Sequence, residues 1–406
     1  MAHDHTADGA RRILLLGTHG QSNIGDELLL ETFLAQLGPR HRYVVNSYSP
    51  PTTERSLADR YDVEVIDTAR TRLGLLGHIA ASDVVVFGGG SIVKELYPSV
   101  GRWRHATLVM VLGVVCAARL LRRPVLMCGI GVGPIDTRLG RLLAGLVLRS
   151  VTSVSVRDAR SLTTCRALGL GEDRLTRIPD VVFVNDPEFF GVASTATTRS
   201  GSRARIALNL NRDIANGERW DEALAEIATA LDLVAERVPI EVHALPMQSA
   251  FKREDDLTVL REFLRDRSRW HPVIHETLDH DDVAEVIAAS DVVVSERFHA
   301  IVLAAILGRP VVGLAYDVKV EELVADLGVA ERSVDINASF APERLADAIL
   351  ASLDDGEAEG RRLLQAAGRA RAQLVDWFAG VRCEIEPTGA APVPSDGVVS
   401  LAGRQG

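Results

Sequence analysis

The chain has 406 residues, which is long enough for two or three domains. Apolar residues make up 47% and charged residues 25%, which is ordinary for a soluble globular protein. The net charge of −10 argues against nonspecific binding to nucleic acid, and we expect no nucleic-acid partner.

In the first half of the chain, short apolar runs alternate with helical patterns. The predicted strands are Arg12–Gly17, Tyr43–Tyr48, Val63–Asp67, Asp83–Phe87, Pro124–Cys128 and Ser153–Val156. A loop over residues 18–27 leads into a helix to about Leu37, and further helices cover Leu139–Leu148 and the residues up to Leu168. Asp180–Val184 closes this half.

The apolar run Ala106–Leu121 requires a decision between a membrane span and a helix of the core. Arg119 interrupts it, and Arg122 and Arg123 end it. The run is shorter than the ~20 residues that a transmembrane helix needs. We therefore predict a buried helix and no transmembrane segment.

The second half begins after a stretch at 191–203 that is rich in Ser, Thr and Gly and is typical of a linker. Its predicted strands are Arg205–Leu210, Ile240–Leu245, Pro272–His275, Asp291–Ser295 and Val311–Ala315. Its predicted helices are Trp220–Arg237, Asp255–Asp266, Asp281–Ala289, Ala300–Leu307, Glu321–Leu327, Pro342–Leu353 and Glu357–Phe378.

Strands that alternate with helices on both sides of one linker predict two doubly wound α/β domains with a ligand cleft between them. The predicted division is a disordered N-terminus at 1–10, a Rossmann-like domain at 11–190, the linker at 191–203, a second Rossmann-like domain at 204–383 and a disordered tail at 384–406.

The cysteines Cys116, Cys128, Cys165 and Cys383 include no CxxC pair, and most lie in apolar segments. We expect reduced, buried thiols, as in cytosolic proteins. The first ten residues lack the apolar core of a signal peptide. These features predict a cytoplasmic protein.

The segment Ser295–His299 falls where a predicted strand meets a helix, an edge of parallel sheets that favours anions. Arg297 offers a fork of donors for carboxylate or phosphate, and His299 can move a proton near neutral pH. A structural ion pair for Arg297 and a core position for His299 are equally open. Arg212 follows another strand end, with a surface ion pair as its alternative.

Two loops after predicted strands are further candidates. Asn23–Glu27 carries side chains that suit sugar hydroxyls, although Asp26 is equally able to cap a helix and Gly25 to serve a turn. Gly88–Ser91 is a glycine loop whose backbone amides could bind an anion. It is not a P-loop, because it lacks the Gly-Lys-Ser/Thr with which that motif ends. Asn23–Glu27 also lacks the GxGxxG spacing of a dinucleotide site.

No metal site is predicted. The run from Asp279 to Asp282 lies where a helix begins, so we interpret it as a helix cap rather than as a set of metal ligands. His3 and His5 lie in the polar N-terminus.

Taken together, the motifs resemble the polysaccharide pyruvyl transferases. The resemblance rests on NIGDE at Asn23–Glu27, FGGGS at Phe87–Ser91, GIGVGPI at Gly129–Ile135, SVRDARS at Ser155–Ser161, PDVVF at Pro179–Phe183, SERFHA at Ser295–Ala300 and the segment Gly308–Gly328. It implies a GT-B-like fold, with two Rossmann-like domains that face each other across a cleft.

The resemblance also implies an activity, the transfer of pyruvate from phosphoenolpyruvate to two sugar hydroxyls to form a ketal. The implied donor-binding residues are Arg212, Arg297, Phe298, His299 and Lys319, the lysine that follows the last predicted strand. The implied acceptor-binding or cleft-loop residues are Asn23, Gly25, Asp26, Glu27, Gly89, Gly90 and Ser91.

The chemistry is consistent with these residues. Phosphoenolpyruvate carries a carboxylate and a phosphate, so its site needs several cations, and Arg212, Arg297 and Lys319 supply them. His299 is our candidate acid and base. Phosphate is the leaving group and nothing is oxidised, so we expect no cofactor beyond phosphoenolpyruvate as co-substrate.

Two other functions stay open from the sequence: a nucleotide-sugar glycosyltransferase of the same architecture, and a non-catalytic binding protein. The acceptor is a sugar, a glycan or a lipid-linked sugar, and the last of these would bring the protein to the inner face of the membrane. A homo-oligomer is also open.

Overall fold

The computed structural model describes residues 9–57, 60–67, 74–96, 102–192, 202–212, 219–249, 255–276 and 278–386. Their contacts divide the chain into two compact units. Among the described residues, unit 1 takes 9–21, Asp26–Val184 and 372–386. Unit 2 takes Ser22–Gly25 and Asn185–Arg371.

Unit 1 is built on a parallel sheet of seven strands in the order β3-β2-β1-β4-β5-β6-β7. The strands are β1 (Arg12–Leu16), β2 (Arg42–Ser47), β3 (Val63–Asp67), β4 (Val84–Gly88), β5 (Val125–Ile130), β6 (Ser153–Val156) and β7 (Leu175–Arg177). The helices of this part of the chain are α1 (Ile24–Leu37), α2 (Pro50–Leu57), α3 (Gly74–Ala81), α4 (Ala106–Leu120), α5 (Arg138–Ser150) and α6 (Ala159–Ala167).

Unit 2 is built on a parallel sheet of six strands in the order β10-β9-β8-β11-β12-β13. The strands are β8 (Ala204–Asn209), β9 (Ile240–Ala244), β10 (Val273–Ile274), β11 (Val292–Ser295), β12 (Val311–Ala315) and β13 (Ser333–Asp335). The helices are α7 (Trp220–Arg237), α8 (Asp256–Leu264), α9 (His280–Ala288), α10 (Phe298–Ile306), α11 (Val318–Asp326), α12 (Pro342–Asp354) and α13 (Gly356–Ile385), whose last part belongs to unit 1.

The central strands are buried on both faces, which is why they consist of almost uninterrupted Val, Ile, Leu and Ala. Both sheets are wholly parallel, and helices separate most of their successive strands, so the predicted doubly wound α/β class is confirmed. The division into units differs from the predicted boundaries, because Ser22–Gly25 belong to unit 2 and residues 372–386 to unit 1.

Several helices begin earlier than the sequence predicts, which moves candidate residues out of loops. Helix α1 begins at Ile24 because the Asn23 side chain accepts a hydrogen bond from the amide of Gly25 (3.1 Å). Helix α11 begins at Val318, so Lys319 lies in its first turn. Strand β13 follows that helix, so β12 is not the last strand.

The buried helix predicted over Ala106–Leu121 is present as α4, but only one side of it is buried. Val111 and Val115 are in the core, whereas Met110 is 54% and Leu120 84% exposed. Among the residues described, no helix is both long and apolar enough to cross a bilayer.

The cysteine prediction is half wrong. Cys128 and Cys165 are buried, but Cys116 and Cys383 are exposed on α4 and α13 because they lie on the outward sides of these helices. Helix α13 also continues to Ile385, past the predicted start of the tail at 384. Residues 1–8 and 387–406 and most of the predicted linker lie outside the described part of the chain.

Candidate functional site

The clearest polar site of unit 2 is centred on Arg297, between β11 and α10. Its Nε donates to Oδ2 of Asp256 (3.1 Å) and its Nη2 to Oδ1 of the same carboxylate (2.6 Å). The Asp256 side chain is 1% exposed and that of Arg297 14% exposed. The two residues form a bidentate ion pair that is removed from bulk water. This geometry holds the guanidinium rigidly.

A second layer fixes this ion pair. Asn209, at the end of β8, donates its side-chain amide to Asp256 (3.0 Å) and accepts from the backbone amide of Arg297 (3.1 Å). The Arg297 Nη2 also donates to the side chain of Gln248 (3.1 Å). Guanidinium, carboxylate and two carboxamides therefore form one network whose members position each other.

The segment Ser22–Gly25 reaches this network. Asn23 forms an antiparallel bridge with Gln248, and the amide of Ile24 donates to the carbonyl of Met247 (2.9 Å). The first residues of the Asn23–Glu27 motif are thus tied to the loop whose Gln248 binds Arg297.

His299 lies directly against Gly25. A Cβ added to Gly25 would lie 2.8 Å from Cγ of His299 and still closer to Nδ1, so only glycine leaves room for the imidazole. His299 is in the first turn of α10, and the Phe298 ring stands edge-on to it at 5.4 Å between centroids. Phe298 itself is buried in the core.

Three candidate cations follow three neighbouring strands. Strands β8, β11 and β12 lie side by side and run parallel. Arg212 follows the carboxyl end of β8, Arg297 that of β11 and Lys319 that of β12. Arg212 is exposed, and the Lys319 ammonium lies 5.0 Å from the ring centroid of Tyr316 and 4.0 Å from Asp317.

The remaining candidates lie in unit 1, at the carboxyl ends of β1 and β4. Gly89 and Gly90 both have positive φ angles (66° and 70°), which bend the chain sharply after β4. A Cβ on Gly90 would lie 3.9 Å from the Asp26 carboxylate, and one on Gly131 would lie 2.8 Å from Oγ of Ser91. The Glu27 carboxylate accepts from the amide of Gly20 (2.6 Å), which closes the loop after β1.

One titratable group of this loop is strongly perturbed. His19 is 1% exposed and its Nδ1 donates to the carbonyl of Asn46 (3.2 Å). Burial lowers the pKa of His19 to about 4. The imidazole is therefore neutral at pH 7, and it supports the loop after β1 without adding charge.

The capping interpretation of Asp279 is confirmed, since its carboxylate accepts from the amides of Asp281 and Asp282 at the start of α9. Within the described residues, no group of three His, Cys, Asp or Glu side chains is arranged to hold a metal ion.

Sequence reasoning missed Asp256, Gln248 and Asn209. The pattern at the start of α8 offers two adjacent aspartates, and the structure uses Asp255 as the helix cap while Asp256 turns inward to Arg297. The signal available in the sequence was the second aspartate, because capping the helix requires only one of the two. Nothing in the sequence singled out Gln248.

Solved structures of similar fold cover nearly the whole chain. HepE of Anabaena in complex with UDP and glucose is 15% identical, with 92% of this chain and 98% of that chain covered at a TM-score of 0.60. A putative UDP-N-acetylglucosamine 2-epimerase of Listeria monocytogenes is 14% identical (91% and 97% covered, TM-score 0.57). A glycosyltransferase of Rickettsia africae is 12% identical (93% and 98% covered, TM-score 0.58). These likenesses show a GT-B-like fold.

The family follows from the sequence match. A model of the family described as polysaccharide pyruvyl transferase matches residues 23–318, which is more than half of the chain and includes Arg297 and His299. The chain therefore belongs to the polysaccharide pyruvyl transferase family and is a transferase.

Proposed function

We propose that this protein transfers the pyruvyl group of phosphoenolpyruvate to two hydroxyls of a sugar acceptor, forming a cyclic ketal and releasing phosphate. The observation that carries the proposal is the placement of Arg212, Arg297 and Lys319 after three adjacent parallel strands. Phosphoenolpyruvate presents two anionic groups a few bonds apart, and such a ligand requires several cations at one sheet edge.

The N-terminus of α10 adds to this preference for anions. Its backbone dipole favours negative charge near Arg297 and His299. Because Asp256 already offsets the charge of Arg297, the guanidinium is held as an oriented donor rather than as an uncompensated charge. Lys319 and Arg212 follow the two neighbouring strands and are further cations that could contact the phosphate.

His299 is the group that we assign to proton transfer. In the first step the carbon–carbon double bond of phosphoenolpyruvate is consumed: its methylene carbon takes a proton, and the neighbouring carbon bonds to one sugar hydroxyl, whose own proton is removed. In the second step a second hydroxyl bonds to that carbon, phosphate leaves, and the hydroxyl proton is removed. An imidazole serves both directions of transfer near neutral pH. Its contact with Gly25 fixes where the ring lies.

Calorimetric titration with phosphoenolpyruvate tests the donor. We expect saturable binding to wild type and at least about tenfold weaker binding to Lys319→Met and Arg297→Lys, since a charged hydrogen bond contributes about 1.5–3 kcal/mol. Arg237→Ala is the control, because Arg237 ends α7 at the opposite edge of the sheet and is exposed. Equal affinity of all four proteins would contradict the proposal.

A second candidate is transfer from a nucleotide sugar. The solved structure of HepE contains UDP and glucose on a GT-B-like fold, and the cations after β8, β11 and β12 suit a diphosphate as well. Saturable binding of UDP-glucose, with none of phosphoenolpyruvate, would favour this candidate. The same variants can be titrated with phosphoenolpyruvate and with UDP-glucose, so one set of titrations distinguishes the two candidate functions.

A further inference from the structure

One surface of unit 1 is apolar where solvent-facing helices are normally polar. Helices α4 and α5 pack side by side, and their outward sides expose large apolar side chains. We define the α4–α5 face by its exposed residues Trp103, Val109, Met110, Leu139, Leu142 and Leu146. Trp103, Met110 and Leu142 are each more than half exposed.

These side chains are not needed for the core of unit 1. The opposite sides of the same helices already bury Val111, Val115, Ala144 and Val147. Leu139, Leu142 and Leu146 recur at helical spacing, so they form a continuous stripe along α5 rather than scattered exceptions. Contiguous exposed apolar surface of this kind marks an interaction site.

The segment that carries the α4–α5 face is mostly basic, although Arg104 is paired with Glu95 and Asp136. Between Leu96 and Val156 the sequence has one acidic residue, Asp136. The same segment has eight arginines, Arg102, Arg104, Arg119, Arg122, Arg123, Arg138, Arg141 and Arg149. All but Arg123 are exposed. This basic segment stands out in a chain whose net charge is −10.

We propose that the α4–α5 face docks unit 1 on the surface of a lipid bilayer that contains anionic lipids. Helices that lie in a bilayer interface combine an apolar stripe with arginines at its border, and exposed tryptophan prefers the same depth. Anionic headgroups complement the arginines. A second copy of the chain is the less favourable occupant, because a two-fold contact through this face would bring arginines against arginines. The proposal concerns an interaction surface and holds whichever donor the enzyme uses.

Sedimentation with vesicles tests the docking. We expect the full chain to sediment with vesicles of phosphatidylcholine and phosphatidylglycerol, weakly with phosphatidylcholine alone, and less at high salt. The pair Arg138→Glu/Arg141→Glu should weaken partitioning at least about tenfold, as should Met110→Ser/Leu142→Ser. The matched control is Arg361→Glu/Arg362→Glu, two exposed arginines of α13.

A second readout uses two native thiols. Cys116 is exposed on α4 and Cys383 on α13. Phosphatidylglycerol vesicles should slow the alkylation of Cys116 and leave that of Cys383 unchanged. Absence of binding to either vesicle, or equal binding of the face variants and the control pair, would overturn the proposal. It would also be overturned by a wild-type dimer that the face variants convert to monomer in sedimentation velocity without any effect of vesicles.

Discussion

Asp256 holds the guanidinium of Arg297 with both carboxylate oxygens, at 3.1 and 2.6 Å. Of the two roles that the sequence left open for Arg297, a structural ion pair is therefore present. The proposed donor binding would therefore use a guanidinium whose orientation Asp256 already fixes.

Removal of Asp256 should destabilise the protein strongly. In Asp256→Ala a largely buried arginine loses its carboxylate partner, and breaking such a pair costs about 3–5 kcal/mol of unfolding free energy. Asp347→Ala is the matched control, because its partner Arg237 is exposed and such pairs contribute at most about 1 kcal/mol. Urea unfolding followed by circular dichroism measures both. Similar unfolding midpoints for the two variants would show that the buried ion pair contributes no more to stability than the exposed one.

Gly25→Ala should also destabilise, although alanine normally favours a helix. The added methyl would overlap the imidazole of His299, and overpacking costs about 1–3 kcal/mol. The control is Gly368→Ala in α13, where a Cβ has no neighbour within 4 Å and alanine should be neutral or stabilising by up to about 1 kcal/mol. If both variants melt above wild type, the imidazole does not occupy the place described.

His299→Ala should abolish most of the activity while leaving the donor cations in place. Loss of a general acid and base typically lowers the rate by about 10²–10⁴-fold. Phosphate release from phosphoenolpyruvate, in the presence of an acceptor, gives the rate, and calorimetry gives the donor affinity. Near-normal turnover of the variant would assign the proton transfer to another group.

The element types and the order of the motifs were accessible from sequence, because short uninterrupted apolar runs between turn residues differ from longer amphipathic helical patterns. The Arg297–Asp256 pair was not accessible, since the two residues are far apart in the chain and meet only when β8 and β11 pair through Asn209. Two helices begin before their predicted starts, and the reason is local. Asn23 and Asp317 cap α1 and α11 earlier than the apolar pattern suggests.

Stability should fall as the pH drops from 7 to 5, and His19 should account for much of the loss. Its pKa is lowered from 6.5 to about 4 in the folded protein, so the unfolded chain binds one more proton in this window. Stability then rises with pH up to about 6.5, and His19 contributes on the order of 2 kcal/mol between pH 5 and 7. Urea unfolding of wild type and His19→Gln at pH 5 and at pH 7 measures this contribution. An equal pH dependence of the two proteins would contradict it.

The four thiols should separate into two classes. Cys116 and Cys383 are exposed and should react with a disulfide reagent within minutes at pH 8. Burial raises the pKa of Cys128, and it raises that of Cys165 to about 12, so both should react only after unfolding. Titration with the disulfide reagent gives the number of reactive thiols in the native protein and, with denaturant added, the number in the unfolded chain. Fast reaction of more than two thiols in the native protein would contradict the packing of β5 and α6.

The assignment of Ser22–Gly25 to unit 2 has a consequence for biosynthesis. Gly25 leaves the ribosome with the first strand, whereas its packing partner His299 is made only after most of the chain. The contact between Gly25 and His299 can therefore form only late in synthesis. A fragment that begins at Asn185 would lack this segment, so it would lose the packing of Gly25 on His299 and the Asn23 bridge to Gln248.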